Sequence, residues 1–319
     1  QADFPPAGTS CRDGVWKGVF IMKKIGFIGV GVMGKSMVRN LMKNGYELTI
    51  YSRTKEKCLD VIEEGAVWCD DIRSCVAGQD VIITMVGYPK DVEEVYFGEG
   101  GVIANARKGA YLIDMTTTSP KLSVRIYNEA KRKSVFALDA PVSGGDTGAK
   151  NGTLSIMVGG DKEAFDACHQ VFETMGTNIV YEGGPGCGQH TKMANQIALS
   201  GVVASVCEAI AYGKKVGLDV DTMLASISAG AAGSWQMTNT APRMLKKDYA
   251  PGFFIKHYIK DMNIATEEAE DVGLELPILN EVLRLYERMD AEGLGNLGTQ
   301  ALIKEYEKDE IAASMSELL

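Results

Sequence analysis

Residues 25–34 read Ile-Gly-Phe-Ile-Gly-Val-Gly-Val-Met-Gly, and no other stretch of the chain limits the possible folds as tightly. An apolar run with the character of a strand ends on Gly29, and a helical pattern opens at Met33 and runs to Leu41. A Gly-x-Gly-x-x-Gly between a strand and a helix implies a dinucleotide site with the pyrophosphate on the loop. Gly29 permits the tight turn, Gly31 lets backbone approach the phosphates, and Gly34 lets the helix lie close on the strand. Free N–H groups and the positive end of the helix dipole, here at Val32 and Met33, then face the anion.

The rest of the chain extends that unit. From Met22 to about Gly184, short apolar runs (23–28, 46–51, 66–68, 80–85, 110–114, 135–139, 154–158, 178–181) alternate with amphipathic stretches (32–43, 55–63, 89–97, 119–132, 161–175). Alternation of this kind predicts βαβ units and a mostly parallel sheet covered on both faces. Past Gly183-Gly184-Pro185-Gly186 the strand signal stops. Helical patterns follow at 188–215, 219–229, 237–246, 257–272, 278–290 and 299–315. The expected fold is an α/β Rossmann domain, doubly wound and mostly parallel, over 22–184, with an all-α second domain over 185–319 that closes the cleft. Residues 1–21 show little periodicity and read as a flexible extension ahead of a natural start at Met22.

Composition narrows the partners. A net charge of −9 argues against a nucleic-acid surface. No run of about 20 apolar residues suggests a membrane span, and 1–21 lack the apolar segment of a secretory signal. The seven cysteines are odd in number and form no Cys-x-x-Cys pair, so neither a disulfide framework nor a metal site is expected, and a reducing cytoplasm fits.

The end of the second strand selects the cofactor. Tyr51-Ser52-Arg53-Thr54-Lys55 offers no carboxylate for a ribose 2′-hydroxyl, while Arg53 and Lys55 can pair with a 2′-phosphate. NADP is therefore expected, with NAD the alternative. Hydride transfer to a carbonyl also needs a proton donor. Tyr51/Lys55 and Tyr127/Lys131 match Tyr-x-x-x-Lys, but the first overlaps the selector and the second lies on a polar helix; both read as chance. The three histidines, His169, His190 and His257, lack an obvious acid partner, and His169 reads as a surface residue. Gly186-Cys-Gly-Gln-His-Thr-Lys192-Met-Ala-Asn195-Gln196 is the better constellation. Lys192 lies one turn into the long helix, whose dipole should lower its pKa, and Gln196 shares its face. Ser143-Gly144-Gly145, in Asp139–Gly145 after the sixth strand, can form a backbone nest for a carboxylate.

Together, Gly29–Gly34, Asp139–Gly145 and Gly186–Gln196 resemble the β-hydroxyacid dehydrogenases, a family that includes 3-hydroxyisobutyrate dehydrogenase and tartronate semialdehyde reductase. The likeness covers nearly everything from Met22 onward. It implies Lys192 as catalytic acid/base, Ser143, Gly144 and Gly145 on the substrate carboxylate, and a dimer or tetramer. It also places Thr117, in Asp114–Pro120, against cofactor and substrate, Lys260 near the cofactor, and Val86 with Ser52, Arg53 and Thr54 in the cofactor site. Two positions depart from the family. Gln196 stands where an asparagine is usual, with Asn195 one residue earlier, and Gly298 replaces the aspartate of a Gly-x-Gly-x-x-Asp, removing a helix cap. The expected activity is NADP-dependent interconversion of a small β-hydroxy acid and its semialdehyde. The rival from another class is a non-catalytic NADP-binding scaffold, which has less reason to keep Lys192. A 6-phosphogluconate-type dehydrogenase needs a longer helical domain and a phosphate cluster, and an imine reductase is disfavoured by Lys192.

Overall fold

The computed structural model describes residues 22–308, so the extension expected at 1–21 and the end of the helix expected at 299–315 lie outside the described residues. Nine strands form one sheet: β1 (Lys24–Ile28), β2 (Glu47–Tyr51), β3 (Val67–Trp68), β4 (Val81–Thr84), β5 (Tyr111–Asp114), β6 (Phe136–Asp139), β7 (Val142–Ser143), β8 (Leu154–Gly160) and β9 (Gly176–Gly183). In the order β3-β2-β1-β4-β5-β6 all pairings are parallel. β8 then runs antiparallel to β6 and β7 and parallel to β9. The strand order reverses between β1 and β4, and such a switch point opens a crevice at the carboxyl ends of the strands. The glycine loop leaves β1 at that edge.

Eight helices connect these strands: α1 (Val32–Lys43), α2 (Leu59–Glu63), α3 (Ile72–Val76), α4 (Pro89–Phe97), α5 (Val102–Asn105), α6 (Pro120–Arg132), α7 (Gly145–Asn151) and α8 (Lys162–Glu173). The sheet is buried on both sides, which is why β4 reads Val-Ile-Ile-Thr without alternation. Ile83 packs with α1 through Met37 and Leu41, and Ile82 packs on the opposite face with Val92 and Tyr96 of α4. Helices α3, α5 and α7 and the two-residue β7 have no counterpart in the sequence reading. They are too short for a period of 3.6 or 2 to emerge. The stretch 55–63 also divides, into a 3-10 turn at Lys55–Cys58 and then α2.

The second part is helical: α9 (Cys187–Lys215), α10 (Val220–Ser228), α11 (Ala241–Leu245), α12 (Ile255–Asp271), α13 (Pro277–Ala291) and α14 (Ile303–Tyr306). A π turn at Gln236–Thr240 precedes α11, which begins with Pro242 in its first turn. Val203, Cys207 and Ile210 of α9 pack in a separate core with Tyr258 of α12 and Tyr286 of α13. α9 has 29 residues and, over its most apolar 18, a mean hydropathy of 1.4, so it is long and apolar enough to cross a membrane, which was not expected from the sequence. Its first turns lie on the sheet and part of its later turns in the helical core. α9 starts at Cys187, directly after the glycine cluster 183–186, and runs from the sheet into the helical part.

Candidate active site

The glycine loop is shaped as its spacing demands. Gly29 has φ +98°, and a Cβ on Gly34 would lie 2.2 Å from the Gly29 carbonyl oxygen and 3.2 Å from the Phe27 ring. Only glycine lets α1 start this close to β1. At Gly31, by contrast, no atom lies within 4 Å of where a Cβ would stand. That open cradle at the start of α1, flanked by Val32 and Met33, fits the pyrophosphate of a dinucleotide. Ser52, Arg53 and Thr54 leave β2 beside it, and Val86 leaves β4, its N–H donating to Thr116 Oγ1 at 3.0 Å. The Lys55 ammonium lies over the Trp68 ring, 5.5 Å from its centroid. Arg53 is not alone: its Nη1 is 3.2 Å from Asp91 Oδ1.

Asp139 fixes the far side of the crevice. Its carboxylate accepts from the Gly186 N–H at 2.8 Å and the Gln189 N–H at 2.9 Å, so β6 caps the start of α9. Burial pushes the Asp139 carboxyl above its usual range, against the pull of those N–H donors. Gln189 then holds the loop after β5 by both ends of its amide: it accepts from Thr118 N–H at 3.0 Å and donates to the Thr116 carbonyl at 2.7 Å. Asp114, at the end of β5, accepts from Thr84 Oγ1 at 2.8 Å and from Thr116 N–H at 3.1 Å, and burial raises it to about 6. Thr117 sits between these two anchored residues.

Lys192 lies on this capped segment and is 6% exposed. Among the described residues its Nζ makes no hydrogen bond, and its pKa falls from the ordinary 10.5 to about 8. Burial is the largest cause, Lys260 adds to it and Asp261 opposes it. The sequence reading assigned that fall to the helix dipole; desolvation is the cause found here. Gln196 is one turn on and buried, but its amide is already engaged. It donates to Asp261 Oδ2 at 2.6 Å and accepts from Asn195 Nδ2 at 2.8 Å. Lys260 bridges Asp261 Oδ1 at 2.7 Å and the Thr117 carbonyl at 2.5 Å. Asn195, Gln196, Asp261, Lys260 and Thr117 thus form one chain of contacts from α9 through α12 to the loop after β5.

The proposed carboxylate nest is the start of a helix. Gly144 and Gly145 take φ +127° and +63°, and α7 begins at once. α1 packs beside it, with Asn40 Nδ2 donating to the Ala149 carbonyl at 2.8 Å. The segment before α12 closes over this helix start: a Cβ on Gly145 would lie 3.4 Å from the Gly252 carbonyl oxygen. Gly145 thus lies against the segment that leads into α12, the helix whose Lys260 and Asp261 act on Lys192.

Other candidates fall away. Tyr127 donates to Asp161 at 2.7 Å, and the exposed Lys131 bonds Tyr127 at 2.9 Å, on the outer face of α6. His190 is exposed, and His257 is enclosed by the rings of Tyr88 and Phe254. His169 is a surface residue as read, although it does have an acid neighbour, Glu173 at 3.5 Å. At Gly298 the missing cap is replaced in space: a Cβ there would meet Gln300 Oε1 at 2.3 Å, and Gln300 ties the Asp248 and Ala250 carbonyls. The sequence reading missed the roles of Asp139, Gln189 and Asp261, each inside a motif it quoted, and of Asp91, for which it had no signal.

Two family models match the chain: the NAD binding domain of 6-phosphogluconate dehydrogenase over residues 24–183, and the NAD-binding domain of NADP-dependent 3-hydroxyisobutyrate dehydrogenase over residues 186–306. The Bacillus subtilis oxidoreductase YkwC is 56% identical over 282 residues, 88% of this chain and 98% of its own length. The 2-hydroxy-3-oxopropionate reductase of Escherichia coli is 36% identical, covering 89% of this chain and 97% of its own. Among solved structures, a Mycobacterium tuberculosis 3-hydroxyisobutyrate dehydrogenase determined with L-serine superposes with a TM-score of 0.82 at 27% identity, over 89% of this chain and 99% of that one.

Proposed function

The chain belongs to the β-hydroxyacid dehydrogenase family, NAD(P)-dependent enzymes acting on CH–OH groups, and from that premise we propose that it interconverts a small β-hydroxy acid and its semialdehyde with a preference for NADP. Lys192 carries this reading: a nearly buried ammonium with no hydrogen-bond partner among the described residues, its pKa brought to about 8. The bound nicotinamide supplies or accepts the hydride. The protein's own residues do the rest. Lys192 Nζ donates a proton to the carbonyl oxygen in reduction and takes it back in oxidation. The Ser143–Gly145 segment and the first N–H groups of α7 hold the substrate carboxylate. Gln196, braced by Asn195, acts through Asp261 and Lys260 rather than on the substrate, and keeps Lys192 and the Thr117 loop in register.

The test is a steady-state panel of glyoxylate and the succinic, tartronate and methylmalonate semialdehydes with NADPH and with NADH. Turnover of at least one, faster with NADPH, is expected; NADH as the better donor would refute the reading of Arg53. The pH profile follows from Lys192. Reduction needs the protonated amine, so its kcat/KM should fall about tenfold per pH unit above about 8, and oxidation should rise to a plateau there. A flat profile between pH 7 and 9 in both directions counts against Lys192.

A homo-oligomer and a cytoplasmic setting complete the proposal. Ala194, Ala198, Ser205 and Tyr212 recur along one exposed side of α9, a surface that a second copy can cover. Ala198→Glu should halve the mass seen by light scattering or leave less; an unchanged oligomer rejects this face.

A further inference from the structure

At the mouth of the crevice a salt bridge joins two strand ends. Arg53 follows β2, Asp91 lies in the first turn of α4 after β4, and the two meet at 3.2 Å. In the sheet β2 and β4 stand on either side of β1, so the bridge spans the ground beside the glycine loop. The partners differ in freedom. The Arg53 side chain is 80% exposed, whereas that of Asp91 is 12% exposed. The other Asp91 oxygen accepts from the Tyr88 N–H at 3.1 Å, and Pro89 sets the turn that α4 starts from. Asp91 is held in place, and Arg53 is an exposed side chain resting on it.

We propose that Asp91 is a specificity-determining residue of the coenzyme site, which holds Arg53 across the adenosine slot and weakens the preference for a 2′-phosphate. The proposal rests on the reading of Arg53 as the 2′-phosphate contact. A dinucleotide bound on the glycine loop lays its adenosine ribose against the end of the second strand. To pair with a 2′-phosphate, Arg53 must leave Asp91. Asp91 cannot follow, because the start of α4 pins it. It loses its ion pair and keeps only the Tyr88 N–H while a second anion lies nearby, and like charges in proximity oppose binding. A coenzyme with a plain 2′-hydroxyl avoids this conflict, since Arg53 can stay where it is or the carboxylate can accept from the hydroxyl. The strand-end rule for cofactor choice looks for an acid at the end of β2 and finds none; here the acid arrives from α4.

The test is the dissociation constant of NADPH and of NADH, measured by calorimetry on wild type, D91N and D91S without substrate. Asparagine keeps an oxygen for the Tyr88 N–H and loses only the charge. Serine serves the same position if D91N fails to fold, and thermal melts show which variant is native. D91N should bind NADPH roughly three- to tenfold more tightly, with NADH unchanged or weaker, and the difference should shrink in 0.5 M salt. Equal changes for both coenzymes, or none for NADPH, overturn the role of Asp91. If wild type binds NADH more tightly than NADPH, the reading of Arg53 fails instead, whatever D91N does.

Discussion

Lys192→Met should lower kcat for semialdehyde reduction by about 10³-fold or more and, in the same protein, raise the unfolding temperature. The two effects have one cause. A methionine of similar length keeps the packing of α9 and removes the ammonium. Turnover falls because the carbonyl oxygen loses its proton donor, and none of the histidine or tyrosine candidates replaces it: His257 packs against the rings of Tyr88 and Phe254, His190 is exposed and Tyr127 lies on the outer face of α6. Stability rises because the folded chain gives up a desolvated charge. The Lys192 pKa is about 8 when folded against an ordinary 10.5, a difference on the order of 3 kcal/mol. The sign follows from the direction of the shift. Below pH 8 the amine is charged in both states, and the fold bears the full penalty. Between pH 8 and 10.5 the folded amine is already neutral while the unfolded one is still charged, so the penalty fades. The melting-temperature advantage of Lys192→Met should therefore be largest below pH 8 and vanish towards pH 10.5. Removing the lysine strands no acid, since Asp261 keeps Lys260 and Gln196. A variant that loses activity but melts with wild type at pH 7 would mean that Lys192 is better solvated than its burial indicates.

Local constraints are legible in the sequence, and those that the fold assembles from distant segments are not. The glycine loop was legible because every constraint on it is local: a turn after β1, a cradle at Gly31 and a close approach at Gly34 lie within six residues. The lowered pKa of Lys192 was expected from the sequence, but its cause was not legible there. The cause is burial by parts of the chain far from Lys192, modulated by the charges of Lys260 and Asp261 on α12, and no spacing rule near Lys192 reports either. Asp91 shows the limit most plainly. It sits 38 residues from Arg53, and only the parallel order β2-β1-β4 brings them together. Gln189 was within reach, because it lies inside a quoted motif on a helix start. A buried amide there has to find two partners, and the loop after β5 is the nearest backbone that the sheet order supplies.

The capped helix start also makes the second large prediction. Gly188→Ala should destabilise the protein by about 3 kcal/mol or more, far beyond the usual effect of adding a methyl in a helix, where alanine is the better former. The added Cβ would stand 2.4 Å from the Met157 carbonyl oxygen and 2.7 Å from that of Asp139, both backbone atoms of the sheet. Neither can move without breaking strand pairing, so α9 must lift. Lifting breaks the two N–H bonds to the Asp139 carboxylate and then the two Gln189 bonds that hold Thr116 and Thr118. Asp139 would be left buried without its donors, which costs more than the lost bonds themselves. Gly184→Ala is the control: nothing lies within 4 Å of its Cβ position, and its urea midpoint should match wild type. If the midpoint of Gly188→Ala matches it too, α9 is not seated on the sheet through this contact. If stability falls as expected, whatever folded Gly188→Ala remains at low temperature should still bind NADPH, because the glycine loop lies across the crevice, yet turn over slowly, because Lys192 moves with the helix.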